Sequence, residues 1–151
     1  MMAKSNITVN ENKKNLKQNH QDYNKLISLG IGNVQKNNFE GAIKNFLNAV
    51  TSKTKLIFSE SLANPGGVVC DLEGIAKIAH DVGVPYLVDN TLATPALCRP
   101  IEYGADIIVH STTKYLSGHG DAMGGGIIDS GNFDWAQNDK FPTMTKPYPG
   151  Y

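Results

Sequence analysis

Residues 55–90 decide the fold, and they read KLIFSESLANPGGVVCDLEGIAKIAHDVGVPYLVDN. The short apolar run KLIFSE predicts a buried strand, and the LANPGG that follows is a turn by composition. Apolar residues at helical spacing then predict a helix that Asp71 caps and Gly83 ends. A second strand, YLVDN, occupies residues 86–90. Strand, helix and strand in this order predict the parallel, right-handed crossover of an α/β fold.

The flanking segments extend this unit in both directions. Apolar residues at helical spacing predict an earlier helix that begins after Asn38, and two later strands are predicted over 106–111 and 124–130. The strands are apolar without polar alternation, which predicts helices on both faces of a mostly parallel sheet. The predicted organisation is a weakly ordered, polar, Asn/Lys-rich lead-in over 1–37 and an α/β domain over 38–151.

The charge distribution also divides the chain into two parts. The 151 residues include 14 basic and 14 acidic side chains, which argues against binding nucleic acid or an acidic membrane through bulk charge. Residues 1–50 hold seven Lys against three acids, a net of +4. Residues 51–151 hold seven basic and eleven acidic side chains, a net of −4. This split predicts different structural duties for the two parts.

Several other classes of protein are excluded by the sequence. Two cysteines cannot form a disulfide scaffold, and the spacing of Cys70 and Cys98 matches no zinc pattern, so they are predicted to be small buried apolar groups. Apolar runs are too short to span a membrane, and the N-terminus lacks the apolar core of a secretory signal. The prediction is a reduced, soluble, cytoplasmic protein. The glycine-rich run over 118–126 matches no phosphate-binding loop, and His119 has no paired nucleophile.

Polar side chains follow three of the predicted strands. Glu60 and Asn64 follow the first strand, Asp89 and Thr91 the second, and STTKY (111–115) the third. Because ligands bind beyond the carboxyl ends of parallel strands, we expect these side chains at one edge of the sheet. A carboxylate, an amide, hydroxyls and a lysine in one place are typical of a site for a phosphorylated, electron-poor ring.

Each of these side chains also has a plain structural interpretation. Lys114 directly follows a buried strand and is predicted to be partly desolvated and nucleophilic, and the alternative is a solvated loop lysine. Asp89 could hold a positive charge on a ring nitrogen, or cap the end of its strand. Ser111 and Thr113 are two residues apart, so their hydroxyls could share a phosphate, or satisfy local backbone groups. Asn64 could reach a phenolic oxygen, or simply form a turn.

Residues 60–121 closely resemble a known family. The stretch ESLANPGGVVCDLEGIAKIAHDVGVPYLVDNTLATPALCRPIEYGADIIVHSTTKYLSGHGD is similar to the core of the Cys/Met-metabolism pyridoxal phosphate enzymes, and VDNT followed by HSTTKY is its most specific part. The resemblance runs from near Asn45 to the C-terminus, whereas residues 1–44 do not align clearly. It implies part of the large cofactor-binding domain of a fold-type I, aspartate aminotransferase-like enzyme.

The resemblance also implies how the cofactor is bound. Asp89 is implied to pair with the pyridinium nitrogen of pyridoxal 5'-phosphate. Ser111 and Thr113 are implied to bind the phosphate. Asn64 is implied to contact the phenolic oxygen of the ring, and Thr91 to lie against one ring face.

Lys114 is the implied catalytic residue, which binds the cofactor aldehyde covalently and moves protons between substrate carbons. The tail, with IIDSGNFDW, KFP and PYPGY, is most similar to the O-acetylhomoserine sulfhydrylase branch. That branch replaces the acetate of O-acetylhomoserine by sulfide or a thiol, giving homocysteine or methionine. The family implies a homo-oligomer, a tetramer, with small-molecule partners.

The chain also departs from the family. Members are much longer, and the Tyr and Arg of the N-terminal arm, the Gly-rich phosphate turn, the ring-stacking Tyr and the C-terminal domain have no counterpart here. Arg99 lies in a predicted loop and is not assigned to the function of any of these missing residues. Three alternatives therefore stay open: an inactive fragment or a subunit that needs a partner chain; a methionine or cystathionine γ-lyase or a cystathionine γ-synthase; and a doubly wound nucleotide-binding domain. The last lacks the glycine fingerprint after its first strand.

Overall fold

A computed structural model describes residues 39–147 and Gly150. The predicted lead-in over 1–37 lies outside the described residues. The contacts divide the chain into two compact units, Met1–Thr54 and Lys55–Tyr151. The elements in chain order are α1 (Phe39–Ala49), β1 (Ile57–Glu60), α2 (Leu72–Asp81), β2 (Tyr86–Asp89), α3 (Thr94–Leu97), a 3-10 helix (Pro100–Tyr103), β3 (Ile107–Ser111), β4 (Gly125–Asp129) and α4 (Pro142–Thr145). All four predicted strands are confirmed, each slightly shorter than the predicted range.

The second unit is built on one four-stranded sheet in the order β1-β2-β3-β4. The first three strands pair in parallel, and β4 pairs with β3 in the antiparallel direction. This confirms the mostly parallel sheet. The carboxyl ends of β1, β2 and β3 therefore lie at the same edge of the sheet, where the polar side chains were predicted to meet.

The α2 helix forms where the sequence predicts it. The Asp71 side chain accepts a hydrogen bond from the Gly74 N–H at 3.0 Å, which satisfies one free donor of the first turn. Gly83 has a φ of +68°, a left-handed conformation that a residue with a side chain rarely adopts, so the chain turns here toward β2. The buried stripe of the helix is Leu72, Ala76 and Ala79.

One face of the sheet is buried and the other is partly exposed. Tyr86, Val88 and Ile108 point to the buried face, and the helical residues of the core pack against them. On the opposite face, 56% of Phe58 and 78% of Ile127 are exposed. The helical residues of the core pack on the Tyr86 face, and the predicted α/β fold of a mostly parallel sheet with flanking helices is confirmed.

The tail after β4 joins the core through three aromatic rings, a feature that its sequence did not indicate. Phe133, Trp135 and Phe141 pack edge to face, with centroids 4.9 to 5.7 Å apart. The Lys140 ammonium donates to the Val82 carbonyl at 2.8 Å, and burial lowers the pKa of this lysine. The aromatic cluster and this hydrogen bond fasten the tail to the turn that precedes β2.

The described helices include none long and apolar enough to cross a membrane.

Candidate functional site

A cavity of about 680 Å³ opens at the carboxyl ends of β1, β2 and β3. Its walls include all six site residues that the sequence predicts, namely Asn64, Asp89, Thr91, Ser111, Thr113 and Lys114. Parallel pairing brings these residues together, since each of the three strands delivers its polar side chains to the same edge.

Asp89 ends β2 with one carboxylate oxygen bonded and the other free. Its Oδ1 accepts hydrogen bonds from the Thr91 N–H at 2.9 Å and from the Thr91 hydroxyl at 2.5 Å. Among the described residues, Oδ2 has no hydrogen-bond partner. Oδ1 therefore makes the predicted contact in which Asp89 caps the end of its strand. Oδ2 remains available to a cationic group in the cavity.

Thr91 connects the ends of β2 and β3. Its Oγ1 donates to Asp89 and accepts the backbone N–H of Ser111 at 2.8 Å. One hydroxyl thus fixes the Asp89 carboxylate and the end of β3 at the same time. This contact was not predicted, because it joins residues twenty positions apart.

The two hydroxyls predicted to share a phosphate differ in their contacts. Thr113 Oγ1 accepts the Gly124 N–H at 2.9 Å and donates to the Gly124 carbonyl at 3.3 Å. The Ser111 hydroxyl has no partner in the described part of the chain. Gly124 must lack a side chain, because a Cβ atom there would lie 2.6 Å from the Thr112 hydroxyl. The Ser111 hydroxyl therefore has no partner among the described residues. The Thr113 hydroxyl, in contrast, is bonded to Gly124, which directly precedes β4.

Lys114 lies in the turn after β3, and its side chain is exposed. The predicted desolvation is therefore wrong. The physical reason is that the turn carries Lys114 beyond the strand, to the open mouth of the cavity. Its backbone is fixed by hydrogen bonds to Ser111 and from Gly118, whereas its ammonium has no described partner. Among the described lining residues, Lys114 is the only basic side chain.

Asn64 lies on the exposed turn after β1. Its backbone N–H donates to Oε2 of Glu60 at 2.7 Å, while its side-chain amide has no described partner. Glu60 also lines the cavity and is the register partner of Asp89. The sequence placed Glu60 at the end of the strand but gave it no role, although its position beside Asp89 was the available signal.

Further lining residues add an apolar wall and a rim of two glycines. Leu62, Leu92 and Tyr115 supply apolar surface, and Gly118 and Gly120 complete the rim. The two glycines belong to the run that the sequence assigned to backbone packing. No periodic signal marks the three apolar residues as site residues. A flat ring with polar substituents would therefore meet both kinds of surface.

Other titratable groups lie apart from this cavity. Cys70 and Cys98 are free and half-buried, and burial raises the pKa of the Cys98 thiol. His119 is exposed and accepts the Asp121 N–H, with no described nucleophile bonded to it. None of these three residues lines the cavity.

The chain matches a family whose sequence model is described as Cys/Met metabolism PLP-dependent enzyme, over residues 16–146. The match begins before Asn45, where the resemblance was placed from the sequence, and it includes residues 16–44 of the segment that does not align clearly by inspection.

Curated relatives agree with that match. "Sulfhydrylase FUB7" of Gibberella moniliformis is 50% identical over 113 residues, which cover 74% of this chain and 26% of the relative. O-acetyl-L-homoserine sulfhydrylase of Leptospira meyeri is 46% identical over 72% of this chain and 24% of its own length. Homocysteine synthase of Schizosaccharomyces pombe is 50% identical over 68% of this chain and 24% of its own length. The chain spans about a quarter of the length of these relatives.

A solved structure shows the same fold. It is a protein of Campylobacter jejuni assigned as an O-acetylhomoserine (thiol)-lyase, with a TM-score of 0.69 and 38% identity. The similarity covers 72% of this chain and 27% of the other. That structure contains N'-pyridoxyl-lysine-5'-monophosphate, in which the cofactor is joined to a lysine.

Proposed function

The chain belongs to the family of Cys/Met metabolism PLP-dependent enzymes, and on this premise we propose that it provides the cofactor-binding core of an O-acetylhomoserine sulfhydrylase. The proposed reaction replaces the acetate of O-acetylhomoserine by sulfide or a thiol, giving homocysteine or methionine. The observation that carries the proposal is the single cavity that gathers Asp89, Ser111 and Lys114 at the carboxyl edge of the sheet.

The uncommitted groups of the cavity fit pyridoxal phosphate. The cofactor combines a ring nitrogen, an aldehyde and a phosphate, and the cavity offers an Asp89 oxygen, a Lys114 amine and a Ser111 hydroxyl that have no partner among the described residues. Its apolar wall suits the faces of a flat ring. When bound, the cofactor supplies an electron-accepting ring that stabilises negative charge on the substrate carbons.

Asp89 and Asn64 are proposed to hold the ring. The Asp89 carboxylate would bind the protonated ring nitrogen through Oδ2, since Oδ1 is already occupied by Thr91. The Asn64 amide would donate to the phenolic oxygen of the ring. Thr91 would border one ring face and keep the Asp89 carboxylate in a fixed orientation.

Ser111 and Thr113 are proposed to hold the phosphate. The Ser111 hydroxyl is free to donate at once. Thr113 would keep the hydrogen bond that it accepts from the Gly124 N–H and redirect its own proton, now 3.3 Å from the Gly124 carbonyl, toward the phosphate.

Lys114 is proposed as the catalytic residue. Its amine would hold the cofactor covalently and, once released by the substrate amine, would take a proton from the α carbon and transfer it within the substrate. The exposed position in the turn leaves the side chain free to make this movement, because no described contact restrains the ammonium.

We also propose the assembly and compartment that the family implies, a homotetramer in the cytoplasm. Exposed apolar side chains support an assembly, with 84% of Leu97 and 93% of Met123 accessible. Two free cysteines support a reducing compartment. Light scattering of the purified protein measures its mass in solution, and cell fractionation locates it.

Covalent labelling tests the cofactor site directly. The protein is mixed with pyridoxal phosphate, reduced with borohydride and digested, and the labelled peptide is identified by mass spectrometry. We expect the label on Lys114 and none in Lys114→Ala. A label spread over surface lysines in both proteins would contradict the proposal.

A product assay distinguishes the proposed reaction from that of a γ-lyase. In the complete enzyme of which this chain is proposed to provide the core, we expect homocysteine from O-acetylhomoserine and sulfide, and no 2-oxo acid from methionine or cystathionine. Formation of the 2-oxo acid at a comparable rate would instead favour the lyase.

A further inference from the structure

We propose that Glu60 is a positioning residue that acts through Asn64 on the bound cofactor. The inference rests on the proposed function, because Asn64 is there assigned to the phenolic oxygen of the ring. Glu60 ends β1, lines the cavity and is the register partner of Asp89 on the neighbouring strand.

The turn after β1 is held mainly by its own backbone. Ala63 donates to the Val68 carbonyl, and Gly67 donates to the Ala63 carbonyl, each at 2.9 Å. These bonds close the base of the turn but leave the side chain and the N–H of Asn64 without a backbone partner.

Glu60 supplies the missing restraint. Its Oε2 accepts the backbone N–H of Asn64 at 2.7 Å, which is the only described hydrogen bond that Asn64 makes. A hydrogen bond to an ionised carboxylate is shorter and stronger than one between neutral groups. Because Asn64 is exposed and no other hydrogen bond to it is described, this bond is what holds the backbone from which the amide extends at the cavity.

The position of Glu60 beside Asp89 indicates that Glu60 is present for the hydrogen bond that it accepts from Asn64, and not for its negative charge alone. Glu60 and Asp89 are direct neighbours on parallel strands, and like charges directly opposite one another are destabilising. A backbone N–H aimed at Glu60 offsets part of that repulsion. We therefore expect a neutral side chain that keeps the acceptor oxygen to serve as well.

A double-mutant cycle in cofactor affinity tests the proposal. Pyridoxal phosphate is titrated into the wild type, Glu60→Ala, Asn64→Ala and the double variant, and the dissociation constant is read from the change in absorbance. We expect Glu60→Ala to weaken binding about tenfold, as for the loss of one charge-assisted hydrogen bond. In the Asn64→Ala background the same change is expected to alter binding by less than about twofold, because the effect passes through Asn64.

Glu60→Gln is the matched control, since its amide oxygen can still accept the Asn64 N–H. We expect its affinity to stay within about threefold of the wild type. Equal losses for Glu60→Ala in both backgrounds, or a loss in Glu60→Gln as large as in Glu60→Ala, would overturn the proposal in favour of a direct charge effect.

Hydrogen exchange separates this inference from the proposed function. We expect Glu60→Ala to speed amide exchange at Asn64 in the cofactor-free protein and Glu60→Gln to leave it near the wild-type rate. Unchanged exchange in Glu60→Ala would overturn the positioning role alone. Failure of the wild type to bind the cofactor, despite the exchange effect, would instead overturn the proposed function and with it the role of Asn64.

Discussion

The strand ends carry two rows of polar side chains that face opposite sides of the sheet. Ser61 and Asn90 face the core, where they are 5% and 1% exposed. Glu60, Asp89 and Ser111 face the cavity and are half-buried. Because successive residues of a strand point to opposite faces, the two rows are interleaved in the sequence and separated in space.

The two rows differ in how completely their hydrogen bonds are made. Asn90 Oδ1 accepts the Ser61 hydroxyl at 2.6 Å, and Asn90 Nδ2 donates to the Cys98 carbonyl at 2.8 Å. The cavity row, in contrast, keeps one Asp89 oxygen and the Ser111 hydroxyl without a partner in the part of the chain that the structure describes. The difference indicates a division of duties, in which the core row stabilises the strand ends and the cavity row binds.

His110 is an exception in the core-facing row. It is 7% exposed, and its Nδ1 is the one buried side-chain nitrogen or oxygen without a partner among the described residues. The protein tolerates this atom although a buried unpaired polar group is costly.

The largest expected effect is the loss of the cavity's only described amine. Lys114→Ala is expected to abolish covalent incorporation of the cofactor and to change the free energy of unfolding by less than about 0.5 kcal/mol, since the side chain is exposed and makes no described bond. Mass spectrometry after borohydride reduction and urea unfolding measure the two quantities. Lys146→Ala, at another exposed lysine, is the control. A loss of unfolding free energy as large as that of a core variant would contradict the proposed division, in which core-facing residues stabilise the protein and cavity-facing residues bind.

Asn90→Ala tests the contribution of the core-facing row to stability. It removes two hydrogen bonds, which leaves the half-buried Cys98 carbonyl without this donor and the buried Ser61 hydroxyl with only the Asp89 carbonyl at 3.5 Å. We expect the free energy of unfolding to fall by about 2–3 kcal/mol, measured by urea denaturation. Asn132→Ala, at an exposed asparagine, is expected to change it by less than about 0.5 kcal/mol. Equal effects at the two positions would show that burial does not distinguish the rows.

Thr91→Val tests the hydroxyl that both stabilises the strand ends and orients the Asp89 carboxylate in the cavity. The variant keeps the shape but loses the bonds to the Asp89 carboxylate and the Ser111 N–H. We expect cofactor affinity to fall about tenfold and the free energy of unfolding to fall by about 1 kcal/mol. Thr143→Val is the exposed control. Loss of stability with unchanged affinity would assign Thr91 to the strand ends alone.

Much of this arrangement could be predicted from the sequence, because it depends on local pattern. The strand runs, the Asp71 cap and the turn at Gly83 are all read from neighbouring residues, and parallel pairing then places the site. The packing of the tail against the core was not predictable, because it joins segments far apart in the chain, as the hydrogen bond from the Lys55 ammonium to the Lys140 carbonyl does. The exposure of Lys114 depends on how the turn after β3 is oriented, which the residue types alone do not determine.

The smallest expected effect concerns Tyr86, on the buried face of the sheet. Burial raises the pKa of this phenol above its ordinary value of about 10, and the hydrogen bond with Ser59 opposes part of that shift. The folded state therefore favours the neutral phenol. Stability from this group is fully present below pH of about 10 and is lost as the pH rises from there toward the folded-state pKa.

Tyr86→Phe is expected to remove this alkaline loss. At neutral pH the variant should be less stable by about 1 kcal/mol, because the hydrogen bond between the Tyr86 and Ser59 hydroxyls is lost and Ser59 keeps only the Cys70 thiol. Above pH of about 10 the wild type should lose up to about 1.4 kcal/mol per pH unit through this group, so the gap between the two proteins narrows and then reverses. Urea unfolding at a series of pH values measures this difference in the free energy of unfolding.

Tyr103→Phe, at a tyrosine that is 43% exposed, is the control and should keep the wild-type dependence of unfolding free energy on pH. Since Lys140, whose pKa burial lowers, is present in all three proteins, its opposite contribution cancels in the comparison. Parallel pH curves for the wild type and Tyr86→Phe would mean that the core face opens to water before the phenol ionises.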